Sequence, residues 1–248
     1  MYTRQFFNVL TLCSGTVSLV TAATLLSANP ALAIVNGSFE TGDFTEWLTI
    51  GDTSIETAGF GSGPTDGDFQ ALLTTGFGSV PVSDIETFLG LTAGSLATIP
   101  NLPNVDTPTE GSAIQQTFTA HAGDVLSFDW NFITNEFTSS NSGRFNDFSF
   151  VSISQMVDGL ADTDFPLFIE SFTDFDEETG FQSFSYTFET SGTFSLGIGV
   201  LNEDDTDLDS GLLIDNVELT SVPEPASILG LLALGALGTG AALKKKTA

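Results

Sequence analysis

Disulfides are excluded at the outset, because the 248-residue chain has a single cysteine, Cys13. A folded body must then be held by core packing or by metal ions. Histidine is almost as scarce. His121 stands alone in Thr119-Ala120-His121-Ala122-Gly123-Asp124, a passage read as strand running into turn. Zinc sites draw mainly on Cys and His, and nucleophilic triads need a His between nucleophile and acid. No Gly-x-Ser-x-Gly elbow occurs, and Gly59-Phe60-Gly61-Ser62-Gly63 lacks the lysine of a phosphate loop. Positive charge is the third shortage: five Lys and Arg stand against 32 Asp and Glu, a net charge of −27. Such a surface repels nucleic acid and anionic membranes. It also repels itself, and too few cations exist for salt bridges to relieve it. Bound divalent cations would.

What is present argues against disorder. The chain has 23 Phe and is 41% hydrophobic, spread throughout its length. Residues 1–33 carry one charge, Arg4, an apolar stretch from Phe6 to Leu26, and an A-x-A site at Ala31-Leu32-Ala33. These are the marks of a signal peptide cut before Ile34. Cys13 would lie in the discarded leader, and Leu12 before it does not suit a lipoprotein site. Residues 34–222 form the acidic body, read as one domain. It holds 31 of the acids and one basic residue, Arg144, for a net charge near −30.

Period-two patterning makes the body all-β. Leu126, Phe128, Trp130 and Phe132 alternate with Ser127, Asp129 and Asn131. Phe184, Tyr186 and Phe188 repeat the pattern, as do Phe194, Leu196, Ile198 and Val200. Strands are also expected over 34–39, 68–74, 146–157, 165–172 and 212–219. One short helix is expected where Ser83-Asp84-Ile85-Glu86 fits a capping box, ending at Gly90 or Gly94. Pro100, Pro103 and Pro108 mark a loop. Roughly ten short strands predict a jelly-roll-like β-sandwich.

The tail, residues 223–248, has three parts. Pro223-Glu224-Pro225 comes first, then the 18-residue run Ala226–Leu243 with Gly230, Gly235, Gly238 and Gly240, then Lys244-Lys245-Lys246. Eighteen helical residues reach about 27 Å, near the ~30 Å core of a bilayer. This predicts a transmembrane helix whose lysines stay cytoplasmic and whose body stays outside. The combination resembles the PEP-CTERM sorting signal of bacterial surface proteins. The resemblance implies an exosortase-type membrane enzyme that cuts near Pro-Glu-Pro and removes the helix, as a GPI tail is removed. A plain single-span anchor has no need of Pro-Glu-Pro.

Two further stretches carry a second resemblance. Asn36-Gly37-Ser38-Phe39-Glu40-Thr41-Gly42 with Trp47, and Leu213-Ile214-Asp215-Asn216-Val217-Glu218-Leu219, are similar to the first and last strands of jelly-roll carbohydrate-binding modules and galactose-binding-like domains. The resemblance implies that the two segments lie side by side and that Glu40 and Asp215 ligate a structural calcium. Asp215 also has the parity of Leu213, Val217 and Leu219, which would place a carboxylate on the core side unless the strand bulges or lies at a wet edge. A central pattern resembles other PEP-CTERM surface proteins and implies no activity. It comprises Glu110-Gly111-Ser112-Ala113-Ile114, Phe128-Asp129-Trp130-Asn131-Phe132, Asn135-Glu136 and Asn146-Asp147-Phe148. Asp205, Asp207 and Asp209 have the 1, 3, 5 spacing of a calcium loop, but Ser210 and Asn216 stand where an EF-hand has Gly and Glu. A solvated acidic turn fits them equally well.

The expected function is an exported, non-catalytic cell-surface or matrix protein, calcium-stabilised and associated with extracellular polysaccharide. A calcium-dependent carbohydrate-binding module is the alternative. Sugar platforms favour exposed Trp or Tyr, whereas Trp130 and Tyr186 have core parity and Trp47 belongs to the opening. Paired carboxylates for glycoside hydrolysis come last, since 31 acids offer pairs by abundance alone.

Overall fold

Alternating apolar side chains drive this chain into two antiparallel sheets packed face to face. The computed structural model describes residues 34–102, 104–138 and 145–222. The leader with Ala31 and Ala33, the tail with Pro223, Glu224, Pro225 and Lys244, Lys245 and Lys246, and Arg144 lie outside the described residues. No helix among the described residues is long and apolar enough to cross a membrane.

Thirteen strands are present among the described residues. In chain order they are β1 (Leu48–Ile50), β2 (Asp52–Thr57), β3 (Phe69–Thr74), β4 (Val80–Pro81), β5 (Pro108–Ala120), β6 (Val125–Thr134) and β7 (Phe148–Ile153). The remainder are β8 (Met156–Asp162), β9 (Ile169–Glu170), β10 (Glu177–Glu178), β11 (Gln182–Thr187), β12 (Gly192–Glu203) and β13 (Ser210–Thr220). One sheet runs β1-β5-β12-β7-β8, with β4 also on β5. The other runs β2-β3-β13-β6-β10-β9, with β11 also on β6. The chain crosses between sheets from β5 to β6, from β6 to β7 and from β12 to β13. The β6 and β12 C-termini and the β7 and β13 N-termini therefore meet at one end.

The main core fills the space between the sheets: Leu126, Phe128, Trp130, Phe132, Leu212 and Ile214 from one side face Ile114, Phe118, Val151, Ile198 and Val200 from the other. Each buried Phe is worth about 1.5–3 kcal/mol. The outer faces are covered too. Helix α1 (Val82–Leu89) and Leu91, Leu96, Ile99, Leu102 and Val105 pack on Phe148, Phe150 and Leu201. Phe60, Phe175 and Phe181 cover Leu72, Ile133 and Leu213. A sheet buried on both faces explains why β7 is buried at every position.

Several expectations are corrected. Residues 34–39 are turns, not a strand. Asn36 and Phe39 adopt φ of 52° and 56°. The Asn36 side chain bonds locally, accepting from Thr41 N and donating to the Asp43 carbonyl. Residues 146–157 are not one strand but most of a β7–β8 hairpin, reversed at Ser154 (φ 55°). In 165–172 only Ile169–Glu170 pairs. The helix begins at Val82 behind Pro81 with no side-chain cap. Glu86 of the supposed capping box instead accepts Gly94 N and Leu96 N, fixing the loop beyond the helix. Gly90, left-handed at φ 69°, ends the helix, with Leu91 N bonding back to the Glu86 carbonyl.

Candidate functional site

The opening and closing segments do lie side by side. Val217 N donates to the Gly37 carbonyl at 3.0 Å, and a Cβ on Gly37 would sit 1.9 Å from the Val217 oxygen. Phe39 and Trp47 stack into the core there, centroids 5.6 Å apart. Asp215, however, does not face that core. β13 shifts register between Asp215 and Glu218, with Asn216 at φ 53°. This bulge returns Val217 to the inter-sheet core, whereas Asp215 shares the outer face with Leu213. There it is fully buried and grips the turn before β3. Its Oδ2 accepts Thr65 N at 2.7 Å, Asp66 N at 2.8 Å and Thr65 Oγ1 at 3.2 Å, and its Oδ1 accepts Asn216 N at 2.7 Å. Burial raises its pKa, and these bonds pull it back. Glu40, exposed, holds the other end of the same turn: its Oε1 accepts Asp68 N at 2.8 Å and Phe69 N at 2.9 Å. Gly67 between them has φ +71°, and a Cβ there would strike the Glu40 carboxyl at 2.3 Å. Amide donors meet Asp215 at both oxygens and Glu40 at Oε1. On Asp215 Oδ2, three donors leave little room for a cation.

A different arrangement closes the end where β6, β7, β12 and β13 meet. The inward alternation of each strand runs out into polar residues: Phe132 into Thr134, Val200 into Asn202, Leu212 back into Ser210. Asp147, one residue before β7, reaches across to the opposite sheet. Ser210 Oγ donates to its Oδ2 at 2.6 Å, and Glu203 N donates to its Oδ1 at 3.0 Å. The network continues through Thr134 Oγ1, 2.7 Å from Ser210 Oγ, and Thr75 Oγ1, which accepts Ser210 N at 2.9 Å. Glu136 N bonds Thr134 Oγ1 at 2.9 Å. Beside this, Asn146 Nδ2 donates to Asp162 and Thr163 Oγ1 to Asn146.

Asp147 is 1% exposed and Asn202 0%. Neither side-chain atom of Asn202 has a partner. Leu201 pairs with Phe148, so Asn202 stands opposite Asp147 on the inward side. Burial pushes Asp147 well above the usual carboxylate range, and the charges of Glu136 and Asp205 add to it. Glu136 is raised by burial and by Asp205 and Asp207. Asp162 and Glu203 are raised by burial. Among the described residues the one basic side chain near a carboxylate is His121, its Nδ1 3.6 Å from Asp124 in the β5–β6 turn, an ion pair only when the imidazole is protonated. Among those residues no three His, Cys, Asp or Glu side chains form a metal-holding group.

The predicted loop acids divide. Asp205 and Asp207 both raise Glu136, and Asp205 raises Asp147, whereas Asp209 is raised by burial, Asp52 and Glu110. Asp207 is exposed, its N bonded to Asp205 Oδ1. Asp209 therefore stands apart from Asp205 and Asp207. Asp209, Glu110, Thr75, Ser79 and Thr206 line an open cleft of about 400 Å³ beside Gly76-Phe77-Gly78. Phe77 is fully exposed. Sequence reasoning noticed Asn135-Glu136 and Asn146-Asp147 but passed over Asn202 and Ser210. The available signal was a polar residue in step with Phe194, Leu196, Ile198 and Val200.

The architecture defines the class: an all-β sandwich of two antiparallel sheets, with one helix on its flank. Residues 221–246 match the PEP-CTERM protein-sorting motif. No curated protein matches the chain. Among solved structures it is similar to TmCBM61 in complex with beta-1,4-galactotriose (13% identity, 76% of this chain, 97% of that one, TM-score 0.41). It is also similar to a CBM4 structure (11%, 72%, 96%, 0.32) and to TmCBM27, a carbohydrate-binding module recognising mannan (14%, 77%, 96%, 0.35). At these identities and scores the likeness says nothing about a ligand here.

Proposed function

We propose that the chain is an exported, non-catalytic surface protein, delivered as a membrane-anchored precursor and released from its helix by an exosortase-type enzyme. The acidic sandwich then resides in the extracellular polysaccharide coat. The observation that carries this reading is the sorting motif at 221–246. The A-x-A leader and a body net charge near −30 agree with it. Mass spectrometry of the protein from its native cell surface tests it. The expected product begins at Ile34 and ends near Pro223–Pro225. An intact 248-residue chain in the cytosol overturns it.

The Phe77 cleft favours a second reading, binding of a neutral saccharide. An exposed aromatic ring offers a stacking face for sugar C–H groups, and Glu110 and Asp209 offer acceptors for hydroxyls. Affinity electrophoresis in neutral and anionic polysaccharides tests it: retardation by a neutral polymer, lost in Phe77→Ala, is the expected result. Equal mobility of both proteins in every gel removes the cleft as a site.

A further inference from the structure

We propose that Asp147 and Asn202 hold a calcium ion at the acidic end of the sandwich, with Glu136 and Asp205 supplying negative charge around it. This goes beyond the sorting and polysaccharide readings and depends on neither. Three observations carry it. Asp147 is buried between the sheets with one fixed donor, Glu203 N, and one rotatable donor, the Ser210 hydroxyl. Ser210 Oγ can turn its proton toward Thr134 Oγ1, 2.7 Å away, and free a lone pair. Asn202, opposite Asp147, buries an amide oxygen and an amide nitrogen with no partner for either. Leaving such a group unpaired costs about 1–3 kcal/mol. Glu136 joins the same network through its N–H on Thr134 Oγ1, and it and Asp205 add like charge to Asp147.

The donor set is all oxygen: carboxylate, amide carbonyl and hydroxyl. That chemistry suits a hard cation, and calcium tolerates irregular coordination better than magnesium, which demands a near-ideal octahedron. One direct carboxylate makes a weak site completed by water. A dissociation constant on the order of 10⁻⁴–10⁻³ M, typical of extracellular calcium modules, is expected.

Calcium titration of the EDTA-treated full-length chain, read by terbium luminescence and competition and by thermal unfolding, tests the proposal. Calcium should displace terbium and raise the melting temperature, and magnesium should do less. Asp147→Asn should abolish both effects. Asn202→Ala and Glu136→Gln should weaken binding about tenfold or more. Asp215→Asn should leave binding unchanged. Should Asp147→Asn not fold, the Glu136→Gln titration decides alone, since Glu136 contributes charge and no direct ligand. Three results overturn the site: no calcium effect on the wild-type chain, calcium binding undiminished in both Asp147→Asn and Glu136→Gln, or binding lost in Asp215→Asn instead.

Discussion

Asp215 and Asp147 are two buried carboxylates that the fold accommodates in opposite ways. Asp215 is surrounded by donors: three backbone amides and a hydroxyl close on it and fasten the turn at 65–69. Asp147 has two donors, acidic neighbours and an unpartnered Asn202. Burial raises the pKa of both, but only Asp147 is driven well above its usual range. The difference teaches that depth alone does not identify a cation site. What matters is how many donors already close on the carboxylate and whether an unpartnered oxygen lies beside it. The carboxylate expected to bind calcium from its place in the sequence is the one already satisfied by amides.

The comparison can be broken most forcefully at Asp215. Asp215→Ala strands the Thr65 and Asp66 amides and should cost about 3 kcal/mol or more in chemical denaturation, with or without calcium. A loss below ~1 kcal/mol would show that the turn is not held there. Next comes pH. A carboxyl whose folded pKa is raised binds more protons folded than unfolded, so stability falls as pH rises above its unfolded value, 3.8 for Asp147 and 4.5 for Glu136. In EDTA the melting temperature should therefore drop from about pH 4 toward neutrality, as Asp147, Glu136, Asp162 and Glu203 ionise in turn. Asp147→Asn should flatten part of that drop, and calcium should reverse it near neutrality only. A melting temperature that climbs over this range contradicts the burial account.

Gly67→Ala sharpens the contrast from the other side. It forces a side chain into a left-handed position against Glu40, costing about 1–2 kcal/mol, and should leave calcium affinity untouched. Glu40→Ala, at an exposed position, should cost about 1 kcal/mol or less. A large calcium-dependent effect at either residue would relocate the metal to the closing strand.

Much of the sandwich was legible because period-two alternation survives wherever a strand has one wet face. β6, β11 and β12 were found that way. β7 was harder to delimit, because α1 and the proline loop bury its second face and erase the alternation. The opening segment misled for another reason: Asn36 bonds its own backbone and turns a strand-like sequence into a loop. At Asp215, parity counting failed because a one-residue bulge reverses every side chain beyond it. The acidic end was half visible. Glu136 and Asp147 stood out as a pattern, but their meeting with Asn202 and Ser210 needs crossovers that no local pattern encodes.

The two carboxylates can be compared in a single diffraction experiment. Crystals of the protein soaked in a calcium-mimicking lanthanide should give an anomalous peak beside Asp147 and Asn202 and none at Asp215 or Glu40. A peak on the 65–69 turn, or no peak at either carboxylate, would contradict the assignment.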